Sequence, residues 1–119
     1  MGARLPANQS AVTSSPQHSV GVDDAAELLQ QLGNVTRLGI VRLLVQAGPE
    51  GLAVGEIQSR LQVAASTLSH HLSRLRGVGL VTQRRDGTTL YCSLQYGRLD
   101  QVVTFLTDEC CKGFDSDAC

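Results

Sequence analysis

Between residues 54 and 93 the apolar positions change period. Val54, Ile57 and Leu61 recur at steps of 3 and 4, and Ala65, Leu68, Leu72 and Leu75 at steps of 3, 4 and 3. Both spacings put the apolar residues on one face of a helix. The other face of the second helix carries Ser66, Thr67, Ser69, His70, Ser73 and Arg74. Gln62, Val63 and Ala64 leave room only for a sharp turn between two crossing helices. After Gly77–Val78–Gly79 the pattern becomes that of strands: Leu80–Val81, a polar run, then Leu90–Tyr91–Cys92. Asp86–Gly87 stands between the two halves, a strong hairpin signal. Upstream, Ala25, Leu28, Leu29 and Leu32 form a stripe behind a cap at Asp23 or Asp24. Asn34–Val35 breaks it. Thr36 is expected to cap a helix over 37–46 with Leu38, Val41, Leu44 and Val45 inward. Gly48–Pro49–Glu50–Gly51 is a loop. A last helix over 99–109 carries Leu99, Val102, Val103, Phe105 and Leu106, and Gly113 is expected to stop it. The expected fold is mainly α with a small β-hairpin, a winged helix-turn-helix.

Such a fold has a use. Its second helix is shaped to enter a major groove, with short polar side chains facing base edges. Ser66, Thr67, Ser69, His70 and Arg74 are the expected DNA contacts. Arg84 and Arg85, just before the turn, are placed to reach phosphate or the minor groove. His71 is expected to pack beside the wing or to close a local hydrogen bond, and His18 has no partner in view.

Several motifs in order carry a resemblance. Leu32–Gly33–Asn34–Val35–Thr36–Arg37–Leu38 followed by Ile40–Val41–Arg42–Leu43–Leu44 resembles a helix of the ArsR/SmtB family of metal- and metalloid-responsive repressors. Residues 66–75, Ser-Thr-Leu-Ser-His-His-Leu-Ser-Arg-Leu, are similar to that family's recognition helix. Gly79–Leu80–Val81, Arg84–Arg85, Gly87 and Tyr91 are similar to its wing. The resemblance spans residues 25–111. It implies a dimeric repressor that binds double-stranded operator DNA.

Charge supports that polarity. The chain has 10 Lys+Arg against 11 Asp+Glu and a net charge of −1, so bulk charge alone does not point to nucleic acid. Arg60, Arg74, Arg76, Arg84 and Arg85, however, cluster in the helix-turn-helix and wing, where Glu56 and Asp86 are the only acids. Asp100, Asp108, Glu109, Asp115 and Asp117 gather at the other end. With 119 residues and 3% aromatics, one domain with an aliphatic core is expected. The expected organisation is a flexible Ser/Ala/Gln/Pro-rich arm over 1–21, a winged-helix and dimerisation domain over 22–111, and a cysteine-bearing tail over 112–119. A domain this small cannot bury both its first and last helices, so their stripes are expected to pair across a two-fold axis as a homodimer. No run approaches the ~20 apolar residues of a membrane span, and a cytoplasmic protein with reduced cysteines is expected.

Four cysteines carry the second function. Cys110 and Cys111 are adjacent at the end of the last helix. Cys119 lies about eight residues on, within a reach of about 26 Å. Three thiolates can thus meet one thiophilic ion. Three sulfurs without histidine suit trivalent arsenic or antimony; zinc or cadmium takes a fourth ligand, which Asp115 or Asp117 can supply. Cys92 ends a strand and reads as a small buried residue, or as an extra ligand that with Cys110 or Cys111 suits a methylated arsenical. Members of the resembling family often carry a Cys-Val-Cys box, but the matching Ala53–Val54–Gly55 lacks both cysteines. Others bind zinc through Asp and His on the last helix, which here has Asp100 and Asp108 and no His. The C-terminal cysteines remain, a placement that also occurs in arsenic-responsive members. The expected mechanism is release of the operator on metalloid binding at Cys110, Cys111 and Cys119. Two other readings stand beside it: a thiol redox or zinc/cadmium repressor, and a metal-buffering protein whose winged helix meets protein. No nucleophile–base pair, phosphate-cradling loop or paired carboxylates suggest an enzyme.

Overall fold

In a computed structural model, residues 20–108 and Gly113 are described. The chain forms α1 (Val22–Leu32), α2 (Val35–Ala47), β1 (Leu52–Ala53), α3 (Val54–Leu61), α4 (Ala65–Gly77), β2 (Val81–Asp86), β3 (Thr89–Leu94) and α5 (Tyr96–Thr107). The expected winged helix-turn-helix is present, with one strand more than the hairpin. The three strands are antiparallel in the order β1-β3-β2, so β3 is central. Leu52 pairs with Cys92 and Ala53 with Tyr91. A two-residue strand has no period for the sequence to show.

The helix-turn-helix follows the apolar spacing. Ile57, Leu68, Leu72 and Leu75 are buried with Leu28, Ile40, Val41, Leu44, Leu80, Val81, Cys92, Leu94 and Val102 in one core. Gln62 closes α3 in the left-handed conformation, φ 56° and ψ 50°, which turns the chain sharply into α4. The wing is a hairpin in which Asp86 pairs with Thr89 around Gly87–Thr88, with Gly87 at φ 65°. Each fully buried aliphatic side chain is worth about 1.5–3 kcal/mol relative to exposure.

Several boundaries and facings differ from expectation. Asn34, not Thr36, caps α2: its side-chain oxygen accepts from the Arg37 N–H at 3.0 Å. The cap of α1 is Gly21, and Asp23 and Asp24 lie inside its first turn. Leu38 and Val45 were expected inward but are 48% and 45% exposed; Ile40, next to Val41 and one turn before Leu44, takes the inner face instead. In α1 the inner face is Ala25, Leu28 and Gln31, while Leu29 is exposed. Helix α5 begins at Tyr96, three residues early, and Asp108 already leaves helical geometry ahead of Gly113. The arm over 1–19 and most of the tail lie outside the described residues. No helix among the described residues is long and apolar enough to cross a membrane.

One polar link joins α1, α2 and α4. Arg37 donates through Nε to the Gln31 carbonyl at 2.6 Å. Its Nη1 lies 3.1 Å from His71 Nδ1. Arginine has no acceptor, so His71 must accept, which requires an unprotonated Nδ1. Burial first, and then the Arg37 charge, hold the His71 pKa below the ordinary 6.5. The sign follows: the unfolded chain takes up the proton more readily, so this link stabilises the fold above the unfolded pKa and is lost as pH falls through the folded one. Thermal unfolding followed from about pH 7.5 to about pH 5.5 should show a smaller loss of Tm for His71→Gln than for the wild type. Equal losses would show that His71 does not titrate this link.

Candidate nucleic-acid interface

Helix α4 is seated by Leu68, Leu72 and Leu75, and this fixes what its other faces present. Ser66, His70 and Ser73 follow steps of 4 and 3 along the outer face, with Thr67 and Arg74 on the neighbouring line. All five are exposed. Arg74 Nε donates to His70 Nε2 at 3.4 Å, so the two longest side chains of this face stand together. Ala64 sits at the N-cap and provides no side-chain acceptor. The first-turn amides therefore lack a side-chain cap, and the helix dipole favours an anion at that end. Arg74 and Arg76 lie in the last turn, where cations suit the dipole.

Ser69 belongs to a different face. With Ala65, Leu72 and Arg76 it lines a cleft of about 260 Å3 closed by Val54 and Gln58 of α3 and by Gln83 and Leu90 of the wing. His71 turns away from the wing toward Arg37, which corrects the first of the two places expected for it. The other expectation was a local hydrogen bond; the bond it makes is to Arg37 of α2, 34 positions away.

The two wing arginines part company. Arg85 pairs with Leu90, and Arg84 with Tyr91. Residues opposite one another in a ladder share a face, and neighbours along a strand alternate. Arg85 therefore shares the cleft side of the ribbon with Leu90, and it is exposed. Arg84 lies on the reverse side, its guanidinium carbon 4.5 Å from the Tyr91 ring centroid. It also donates to the Glu50 carbonyl at 3.3 Å. Arg60 is paired with Glu56 at 3.0 Å along α3.

Cys92 sits in the central strand with no exposed surface. Gln83 Nε2 donates to its sulfur at 3.4 Å. Burial raises the thiol pKa, against the opposing pull of the Gln83 hydrogen bond and the Arg76 charge. An enclosed, protonated thiol is a poor metal ligand. Among the described residues no three His, Cys, Asp or Glu side chains are grouped to hold a metal ion. Cys110, Cys111 and Cys119 lie outside the described residues.

Sequence reasoning missed Gln58, Arg76 and Gln83 as cleft residues, Arg37 as the partner of His71, and Arg98. Arg98 joins Asp24 at 2.7 and 2.9 Å across 74 positions of sequence. The strand alternation of β2 could have separated Arg84 from Arg85; nothing local could have paired Asp24 with Arg98.

Known proteins fit this geometry. A model of helix-turn-helix domains matches residues 32–84. The nodulation protein NolR of Rhizobium meliloti is 35% identical over 103 residues, covering 87% of this chain and 80% of NolR. A putative arsenical resistance operon repressor, ArsR, of Halobacterium salinarum is 48% identical over 60 residues, covering 50% of this chain and 46% of that one. The structure of reduced HlyU from Vibrio cholerae matches with a TM-score of 0.57 at 31% identity, covering 72% of this chain and 90% of HlyU. The matched span takes in α3, α4 and the first half of β2, and the chain belongs to the ArsR/SmtB family of winged helix-turn-helix transcriptional regulators.

Proposed function

We propose that this chain is a metalloid-responsive repressor that binds operator DNA as a homodimer and leaves it when trivalent arsenic or antimony is held by Cys110, Cys111 and Cys119. One observation carries the DNA half: α4 offers an uncapped N-terminus and an exposed row of Ser66, Thr67, His70 and Arg74, all anchored by one buried leucine stripe. Ser66 and Thr67 are short enough for close approach to base edges, and His70 and Arg74 reach farther along the groove. Arg85 faces the cleft side, where a backbone phosphate can meet it. Ser69 sits at the rim of that cleft. Arg84 supports the wing through Tyr91 and the Glu50 carbonyl, and contacts DNA less.

The homodimer rests on α1 and α5. Val22, Leu29, Val103 and Leu106 are 69, 39, 52 and 60% exposed on these two packed helices. Apolar side chains gathered on adjoining helices favour a second copy as their cover. The inducer half rests on donor chemistry: three thiols and no histidine near the end of α5 suit a thiophilic, three-coordinate ion. The named likeness to an arsenical resistance operon repressor supports the same choice. Cys92, enclosed in the core, has a structural role.

Two sets of measurements test the two halves. In fluorescence anisotropy on DNA from upstream of its own gene, Arg85→Ala and Arg74→Ala should weaken binding and each lower the salt slope by about one. Ser66→Ala and His70→Ala should relax sequence discrimination by about 1–3 kcal/mol. Arg84→Ala should leave the slope near that of the wild type. An unchanged slope for Arg85→Ala would place the wing off the DNA. With thiols kept reduced by a phosphine, arsenite should release the wild type and Cys92→Ala but not Cys110→Ser, Cys111→Ser or Cys119→Ser. Release of the serine variants by arsenite would overturn the site; release by zinc or peroxide alone would select a zinc or redox repressor instead.

A further inference from the structure

The last turn of α4 is closed by a Schellman motif. Leu80 N–H donates to the Leu75 carbonyl and Gly79 N–H to the Arg76 carbonyl, both at 3.0 Å, with Gly79 at φ 79°. That pattern satisfies the Leu75 and Arg76 carbonyls and takes up neither Gly77 nor Val78. Arg98 Nε donates to the Val78 carbonyl at 2.9 Å. The rest of the guanidinium is engaged as well. Nη1 and Nη2 take both Asp24 carboxylate oxygens at 2.7 and 2.9 Å, and Nη1 also meets Gln101 Oε1 at 2.8 Å. A Cβ on Gly79 would stand 3.4 Å from Arg98 Nε, so the arginine is packed along the turn itself.

This placement is not explained by the stability of α5. Arg98 lies in the first turn of α5, where a cation has the wrong sign for the helix dipole. Asp24 in the first turn of α1 supplies the compensating charge. One planar, five-donor group thus ties three helices: α5 that carries it, α1 through Asp24, and the end of α4 through Val78. Two of those helices are the apolar layer, and the third is the helix with the exposed polar row.

We propose that Arg98 is a positioning residue for DNA recognition, the link by which the relative placement of α1 and α5 sets the pitch of α4. The proposal rests on the operator-binding reading above. Its consequence is that a change at the α1/α5 layer is delivered to the C-terminal end of the recognition helix through the Val78 carbonyl.

The test separates the ion pair from the link to α4. Arg98→Gln is compared with the exchanged pair Asp24→Arg/Arg98→Asp, in which the arginine moves to α1 and loses its hold on Val78. Each full-length protein is measured for dimer dissociation by sedimentation, for affinity to upstream and to unrelated DNA, and for amide exchange. Arg98→Gln should stay dimeric, lose about tenfold or more in affinity for its upstream DNA, and keep its affinity for unrelated DNA. Amides at Gly79 and Leu80 should exchange faster. The exchanged pair should restore thermal stability toward that of the wild type while operator affinity stays low. Equal loss on both DNAs, full recovery of operator affinity in the exchanged pair, or unchanged exchange at Gly79 and Leu80 in Arg98→Gln would overturn the link. A wild type that ignores its upstream DNA overturns the operator reading instead, and the exchange at Gly79 and Leu80 still decides whether Arg98 holds the end of α4.

Discussion

Burial of three leucines decides which way the DNA-facing surface points. Leu68, Leu72 and Leu75 have 0, 2 and 0% of their surface exposed. At about 1.5–3 kcal/mol each, the three together outweigh any single hydrogen bond from a charged guanidinium to α4, worth about 1.5–3 kcal/mol. Apolar burial therefore selects the outward face, and hydrogen bonds adjust it. Arg37 holds one flank through His71, and Arg98 holds the end through Val78. The third flank, toward the wing, is an open cleft with Arg76 at its edge.

The same burial explains the layout of function along the chain. Helices α1 and α5 give Ala25, Leu28 and Val102 to the single core and pack on each other, leaving Val22, Leu29, Val103 and Leu106 exposed. In the proposed dimer that face is what a second copy covers, and it lies at the opposite end of α5 from Arg98. The three C-terminal cysteines follow the same helix. One element thus adjoins the proposed partner, the proposed inducer ligands and the link to α4. A signal at the cysteines needs no wire through the core.

Much of this was legible because the period is strong. The steps 3, 4 and 3 in α4 named its core leucines, and Asp86–Gly87 located the wing turn, with Gly87–Thr88 as the loop. Cys92 read either as a buried residue or as an extra ligand, and it is buried. The misses have physical causes. Strand β1 is two residues long and acquires its identity only by pairing with β3. The start of α5 reads Tyr-Gly-Arg, without apolar period, and is ordered by tertiary contacts of Tyr96 and Arg98. Thr36 and Asn34 are both good caps, and geometry chose the latter. Leu38 and Val45 are apolar without being core. The pairs Arg37–His71 and Asp24–Arg98 span 34 and 74 positions, beyond what local spacing encodes.

The central claim is that two copies of α4 read DNA together. Footprinting the protein on the segment upstream of its own gene tests this most directly. The account predicts two protected half-sites of related, inverted sequence on one face of the duplex, their centres one helical turn of about 10–10.5 base pairs apart or a whole multiple of it. A single protected half-site, or two whose centres fall half a turn out of phase, would contradict it.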